Sequence, residues 1–184
     1  MSSFQYFAYG SNMLSQRLQA RCPSAMAIGI AKAVDYTLCF DKKSADNSGK
    51  CTLLKTNNMS DIAYGVLFRI DTSERDALDD AEGFPEGYAR DDSFTVVSLT
   101  DQKCIPTSTY IANKCVEGLR PYSWYHALVL AGAMEHKLPP DYIQTLAKFP
   151  YASDPDPKKN DREQKALTIL KKAGYAHLFS EEKG

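Results

Sequence analysis

The segment from Phe7 to Met13 combines residue types that could bind an anion. Residues Gln5 to Ala8 indicate a strand, and the Tyr-Gly-Ser-Asn sequence at 9–12 indicates a tight turn. Leu14 and Leu18 are four residues apart, which indicates a helix. A glycine-containing loop before a helix N-terminus offers free N–H groups and the positive end of the helix dipole. Such a loop can hold a carboxylate or a developing oxyanion, although an ordinary strand-to-helix turn capped by the asparagine fits equally well.

A second segment, Thr72 to Phe84, supplies a candidate acid–base group. It has a capping residue at its front, acid-rich helical residues and Gly83 as a stop signal. Glu82 falls in the last turn of this predicted helix, close to Asp79 and Asp80. The negative end of the dipole and the neighbouring carboxylates disfavour the ionised form of Glu82, which suits a group that takes up and returns a proton. A solvated acid on an acidic helix is the alternative interpretation.

Together the two segments resemble the gamma-glutamylcyclotransferase family. That family has a Tyr-Gly-Ser-Asn loop after the first strand, a Glu-Gly pair at a helix end, here Glu82-Gly83, and a tyrosine shortly after, here Tyr88. A third match is Pro121-Tyr122-Ser123-Trp124-Tyr125, followed by a helix and by Leu138-Pro139. The resemblance covers most of residues 4–149, and the ordered set of three matches is specific where each alone is weaker.

The resemblance implies one reaction. The α-amine of a γ-glutamyl substrate attacks its own γ-carbonyl, which forms 5-oxoproline and releases an amine or amino acid. The nucleophile is tethered to its target, so no cofactor, metal or second substrate is expected. The resemblance makes Glu82 the catalytic base and then the acid. The implied substrate-binding residues, of which the tyrosines would hydrogen-bond substrate or Glu82, are Tyr9, Gly10, Ser11, Asn12, Met13, Tyr88 and Tyr125.

Other chemistries fit the residues less well. A serine hydrolase would need Ser11 with His126, His136 or His177, but Ser11 is not in a G-x-S-x-G turn. No Cys or His residues have the spacing of a metal site, and no P-loop or dinucleotide motif is present.

Two alternative functions, both close to the main interpretation, remain open. The chain could be a non-catalytic binding protein of the same fold, although a pure binder gains little from an acid at the negative end of a helix dipole. It could also remove a γ-glutamyl protecting group from a biosynthetic intermediate. The leaving group lies outside the glutamyl pocket, so the motifs do not separate γ-glutamyl dipeptides, glutathione and γ-glutamylamines.

Composition sets the class of protein. The 184 residues are 43% hydrophobic and 24% charged, as expected for a soluble globular chain. A formal charge of −1 gives no electrostatic reason for a nucleic-acid partner. No signal peptide or membrane-length apolar segment is seen, and the five cysteines lack C-x-x-C spacing, so a cytoplasmic location is expected. A homodimer is left open.

The element pattern predicts an α+β fold, because strands in series are interrupted unevenly by helices. The first helix is predicted over Met13–Arg21, and a half-buried strand over Val34–Phe40. For this α+β fold, the resemblance further implies a mixed sheet curled into a small β-barrel with flanking helices.

We assign residues 1–150 to one domain. After it, the sequence pattern predicts a linker-like loop over Pro150–Asn160 and an amphipathic helix over Asp161–Lys172, with Leu167, Ile169 and Leu170 facing inward. Residues 151–184 are therefore expected to form a loop and a C-terminal helix packed on the same domain.

Overall fold

A closed five-stranded barrel forms the centre of the computed structural model, which describes residues 2–155 and 161–179. Its strands are β1 (Ser3–Ala8), β2 (Met26–Val34), β5 (Ile62–Asp71), β6 (Tyr88–Ser98) and β7 (Cys104–Ala112). They follow the order β1-β5-β2-β6-β7, and a parallel contact between β1 and β7 closes the barrel. The other two strands, β3 (Tyr36–Lys43) and β4 (Gly49–Lys55), form a separate antiparallel pair. The predicted mixed, barrel-like sheet is therefore confirmed.

Helices flank the barrel, which confirms the predicted α+β class. They are α1 (Ser15–Gln19), α2 (Arg75–Glu82), α3 (Ser123–Glu135), α4 (Pro140–Ala147) and α5 (Asp161–Ala173). Short 3₁₀ turns cover Ser11–Met13, Thr72–Glu74 and Ala176–Leu178. Helix α3 is apolar on nearly all sides, and most of its residues are buried. A helix of this kind must be covered all round, and α3 packs against both the first 3₁₀ turn and α5.

Strand β1 lies unusually close to β5 where the barrel meets the 9–12 loop. A Cβ on Gly65 of β5 would lie 2.4 Å from the carbonyl oxygen of Ala8 and 2.7 Å from the ring of Phe7. Only glycine fits such an approach between two backbones. The end of β1 is fully buried as a result, and the loop that follows it starts from a fixed point.

The sequence analysis did not predict strand β2, and it predicted one strand where the structure has parts of two strands. The predicted strand Val34–Phe40 begins on the last residue of β2 and runs into β3. Between them Asp35 has a φ of 72°, a left-handed conformation that aspartate tolerates better than most residues. Strand β2 is rich in alanine and glycine, which have low strand propensity, so only its pairing with β5 and β6 reveals it.

The first helix is shorter than the predicted Met13–Arg21. A 3₁₀ turn comes first, and α1 then spans only Ser15–Gln19 with Leu14 at its N-cap. Asn12 is not the helix cap, because its side chain is hydrogen-bonded to the side chains of Tyr6, Glu82 and Arg21. The sequence pattern located the turn correctly but could not show what its asparagine contacts.

The C-terminal helix packs on the rest of the chain through Ala166 and Leu170, which are fully buried. Of the residues predicted to face inward, Leu170 does so, while Leu167 and Ile169 are half-buried. In the predicted loop from Pro150 to Asn160, residues 156–160 lie outside the described part of the chain. None of the helices within residues 2–155 and 161–179 combines the length and apolar character that a membrane crossing needs.

We expect Gly132→Ala to destabilise the fold. A Cβ there would lie 2.5 Å from the amide nitrogen of Leu14 and 2.6 Å from the Cβ of Met13, so α3 or the 3₁₀ turn must shift. Overpacking of this kind costs about 1–3 kcal/mol, which for a chain of this size is a fall in Tm of several degrees. Gly29→Ala is the control, because nothing lies within 4 Å of its added Cβ. Equal melting temperatures for the two variants would contradict the packing argument.

Candidate functional site

A small inner cavity opens beside the loop that follows β1. Its empty volume is about 290 Å³. It is lined by Tyr6, Tyr9, Gly10, Ser11, Asn12, Cys51, Glu82, Tyr88, Tyr110 and Tyr125. Seven of the eight residues singled out from the sequence are in this set. The structure therefore brings together segments that lie about seventy residues apart in the chain.

Glu82 is held in place through one of its two carboxylate oxygens. Helix α2 ends here because Gly83 adopts a left-handed φ of 68°, and its N–H donates back to the carbonyl of Asp80. Oε1 of Glu82 accepts hydrogen bonds from Asn12 Nδ2 at 2.7 Å and from Arg21 Nη1 at 2.9 Å. Among the described residues no hydrogen bond to Oε2 is found, and the side chain is 15% exposed. The second oxygen is thus available to a bound molecule.

Arg21 is a site residue that the sequence analysis missed. Its Nη1 donates both to Oδ1 of Asn12, at 2.9 Å, and to Glu82, so the three side chains form a closed hydrogen-bonded triangle. Arg21 thus brings a positive charge to the carboxylate of Glu82, beside the negative helix end and the neighbouring acids. A signal was present in the sequence, since Arg17 and Arg21 are four residues apart and can project from one side of a helical segment.

Helix α2 is anchored to the barrel three residues before Glu82. The hydroxyl of Tyr110, on β7, donates to Oδ1 of Asp79 at 2.6 Å. Arg90, on β6, forms an ion pair with Oδ2 of the same carboxylate. Because residues three apart lie on one face of a helix, fixing Asp79 against β6 and β7 also fixes the direction of Glu82.

The three tyrosines predicted from the sequence, Tyr9, Tyr88 and Tyr125, are bonded to backbone groups and not to Glu82, contrary to part of the expectation. Tyr9 donates to the carbonyl of Tyr110, and Tyr88 donates to the carbonyl of Cys51 at 2.8 Å. The hydroxyl of Tyr125 accepts from the N–H of Cys51 at 3.2 Å. Burial raises the pKa of Tyr9, Tyr88 and Tyr125, so these hydroxyls stay protonated. They form a rigid, neutral wall.

Gly10 is required by close contact and not by its backbone angle. Its φ of −114° is open to every residue. A Cβ at this position, however, would lie 2.9 Å from the Cβ of Cys51 and 3.5 Å from the hydroxyl of Tyr125. The loop therefore rests directly on β4 and α3, and its backbone forms part of the cavity wall.

Met13 does not line the cavity, which corrects its assignment to substrate binding. Its side chain is fully buried, and it packs where α3 passes closest to the loop, at Gly132. The residue follows the Tyr-Gly-Ser-Asn sequence directly, but the 3₁₀ turn rotates it away from the cavity and into the core.

The histidines are engaged elsewhere. Nε2 of His136 lies 3.1 Å from the hydroxyl of Ser15 and 3.3 Å from Glu135, and Nε2 of His126 lies 2.8 Å from the carbonyl of Leu146. Ser11 instead accepts a hydrogen bond from Nε of Arg17 at 3.0 Å. In the described part of the chain no three His, Cys, Asp or Glu side chains cluster as metal ligands.

A larger outer cavity adjoins the inner one and is strongly cationic. Its empty volume is about 1100 Å³. The two cavities share Ser11, Glu82, Tyr88 and Tyr125, so they meet at the candidate acid–base group. Its charged lining residues are Arg17, Arg21, Lys42, Lys50, Arg162 and Lys165, with Glu82 the one carboxylate among the described lining residues.

Comparisons with known proteins agree with this geometry. The AIG2-like family matches residues 63–146. A gamma-glutamylcyclotransferase of Mus musculus is 30% identical over 179 residues, which covers 92% of this chain and 89% of the mouse protein. The chain belongs to the gamma-glutamylcyclotransferase family. A Bos taurus gamma-glutamylcyclotransferase is 29% identical, with 92% of this chain and 89% of that protein covered.

The structural comparison extends the family relationship to the whole fold. A solved structure of a gamma-glutamyl cyclotransferase superposes with a TM-score of 0.80 at 27% sequence identity. The match covers 93% of this chain and 99% of that one. The AIG2-like match begins after the 9–12 loop and includes Glu82. The loop and Glu82 therefore do not belong to one continuous sequence motif, and the fold brings them together.

We expect Asp79→Asn to loosen α2. The substitution removes the ion pair with Arg90 and weakens the bond from Tyr110, a loss of about 1–3 kcal/mol for a charged hydrogen-bonded group. Amide hydrogen exchange in α2 should become about tenfold faster or more. Asp80→Asn makes the same charge change at an exposed position of the same helix and should leave exchange nearly unaltered. Equal exchange in both variants would remove Asp79 as the anchor.

Proposed function

We propose that this chain is a gamma-glutamylcyclotransferase that converts a γ-glutamyl compound to 5-oxoproline and a free amine or amino acid, without a cofactor. The observation that carries the proposal is the Oε2 of Glu82, which accepts no hydrogen bond from the described residues and belongs to a carboxylate that borders both cavities beside the 9–12 loop. The family relationship supports the reaction type.

Glu82 would transfer one proton in each half of the reaction. Oε2 first takes a proton from the α-ammonium of the substrate, and the free amine attacks the γ-carbonyl carbon. The carbonyl oxygen becomes an oxyanion and the ring nitrogen carries a positive charge. The bond from carbon to the leaving nitrogen then breaks as Glu82 returns its proton to that nitrogen. Glu82 next takes the extra proton from the ring nitrogen and passes it to the released amine, which leaves as an ammonium, so Glu82 ends as a carboxylate. The bond from Arg21 keeps Oε1 fixed throughout, so only Oε2 moves a proton.

The 9–12 loop would bind the negative charge of the glutamyl part. The first N–H groups of a 3₁₀ turn have no partner within the turn, and those of Ser11 and Asn12 are in this position. They can hold the α-carboxylate of the glutamyl group or the oxyanion of the intermediate. The neutral tyrosine wall of Tyr9, Tyr88 and Tyr125 would enclose the glutamyl chain and exclude water.

The proposal places the enzyme in the cytoplasm. All five cysteines are free thiols, and none has C-x-x-C spacing. Free thiols of this kind suit a reducing compartment.

Glu82→Gln should keep the fold and lose turnover. Glutamine has nearly the same shape but cannot accept the α-ammonium proton, and positioned acid–base groups contribute about 10²–10⁴ in rate. The measurement is 5-oxoproline release from γ-glutamyl-alanine, with circular dichroism to verify the fold. Glu86→Gln, at an exposed glutamate nearby, should retain wild-type turnover. If Glu82→Gln forms 5-oxoproline at a near-normal rate, another group is the base.

Gly10→Val should weaken binding of 5-oxoproline in the inner cavity. The new side chain must displace Cys51 or Tyr125, at about 1–3 kcal/mol, or about tenfold and more in Kd. Ser11→Ala should cost much less, because the loop would bind through backbone N–H groups.

The control for Gly10→Val is Gly29→Val, which meets no atom within 4 Å of its Cβ. Isothermal titration with 5-oxoproline gives the three affinities. Unchanged binding by Gly10→Val would remove the loop from the site.

A further inference from the structure

The outer cavity contains more positive charge than its own carboxylates can balance. Arg21 is paired with Glu82. Lys50 and Arg162 share the carboxylate of Asp46, at 3.2 Å and 3.1 Å, and the exposed Lys165 lies 3.6 Å from Asp161. These pairs account for four of the six cationic side chains that line the cavity.

The remaining two cations, Arg17 and Lys42, have no carboxylate within ion-pair distance in residues 2–155 and 161–179. Arg17 donates to the neutral hydroxyl of Ser11, and the Nζ of Lys42 lies 5.1 Å from the centre of the Tyr88 ring. Both side chains are half-buried. Burial lowers the pKa of Lys42, and burial together with Arg21 lowers the pKa of Arg17 to about 10.

These two cations sit close to where the scissile bond must lie. Arg17 contacts Ser11 and Lys42 contacts Tyr88, and both of these residues line the inner cavity as well. If the inner cavity holds the glutamyl part, the leaving group extends past Glu82 into the outer cavity. Its substituents then come within reach of Arg17 on one side and Lys42 on the other.

We propose that the outer cavity binds the leaving group and that Arg17 and Lys42 select a leaving group that carries two carboxylates. This rests on the proposed function. The substrate class is a γ-glutamyl peptide whose released part is an acidic amino acid or an acidic short peptide. Two half-buried cations without counter-ions favour two anions, since a leaving group with one carboxylate leaves one cation unpaired and a neutral amine leaves both.

Lys50 would shape the subsite without choosing the ligand. Its Nζ lies 4.7 Å from the ring centres of both Trp124 and Tyr125 and is paired with Asp46. Held by these contacts, it forms a fixed edge of the cavity. Arg17 and Lys42, whose charges no described carboxylate neutralises at ion-pair distance, therefore determine which leaving group binds.

The test compares γ-glutamyl-glutamate with γ-glutamyl-glutamine, which differ in one carboxylate and hardly in shape. The expected kcat/KM for 5-oxoproline formation is about tenfold higher for the glutamate peptide, mostly through KM, because the interaction is made before the reaction begins. The preference should shrink as salt is raised, since added ions screen charges that solvent still reaches.

Lys42→Met and Arg17→Met should each reduce the ratio of the two kcat/KM values severalfold, and together they should bring it to about one. Lys103→Met is the matched control. It removes one positive charge in the turn between β6 and β7, where Lys103 pairs with Asp101, and Lys103 lines neither cavity. This control should retain the wild-type ratio.

Equal kcat/KM for the two peptides in the wild type overturns the proposal, as does a preference that survives in the double variant. If one of the two single variants fails to fold, the other single variant and the salt dependence of the preference still test the proposal. Absence of 5-oxoproline from both peptides and from γ-glutamyl-alanine is a different result. It overturns the proposed function, and the leaving-group subsite with it.

Discussion

The whole site depends on one packing constraint, the clamping of the 9–13 loop between the β-strands and α3. On one side Gly10 rests on Cys51 with no room for a Cβ, and on the other Gly132 rests on the backbone of Leu14 with none either. The Cβ of Cys51 moves only with its backbone, and the contact at Gly132 is with backbone itself, so neither can shift by small side-chain adjustments. Asn12 therefore meets the carboxylate of Glu82 at a fixed distance, although the barrel strands separate them in the chain.

The electrostatic design of the site follows from burying Glu82. A partly buried carboxylate must be paired, and here Arg21 and Asn12 pair only one of its oxygens. The chain as a whole carries a formal charge of −1, yet among the described residues that line the outer cavity six of the seven charged side chains are cations. The neutral tyrosine wall and the cationic outer cavity thus present two different environments to the two parts of one substrate.

Much of the fold was predictable from periodicity, turn chemistry and family resemblance, and its errors have physical causes. Strand β2 was not predicted, because three alanines and a glycine among its nine residues weaken its strand signal and it is stabilised by pairing with neighbours on both sides. The predicted strand Val34–Phe40 was wrong at Asp35, because the left-handed backbone conformation of this residue separates β2 from β3. Met13 was assigned to substrate binding because it follows the Tyr-Gly-Ser-Asn sequence. It is one residue further along the 3₁₀ turn than Asn12, and its side chain lies in the core and not in the cavity.

The sequence by itself determined the local chemistry: a tight glycine loop after a strand, a helix that ends at Gly83, and Glu82 immediately before that end. These depend on contacts within a few residues, which composition and spacing encode. Only the tertiary structure decided that Arg21 holds Glu82 and that Asp79 anchors its helix to β6 and β7. It also decided that Arg17 and Lys42 line the outer cavity with no carboxylate of the described residues within ion-pair distance. Each of these depends on how the barrel closes, and no single segment carries that information.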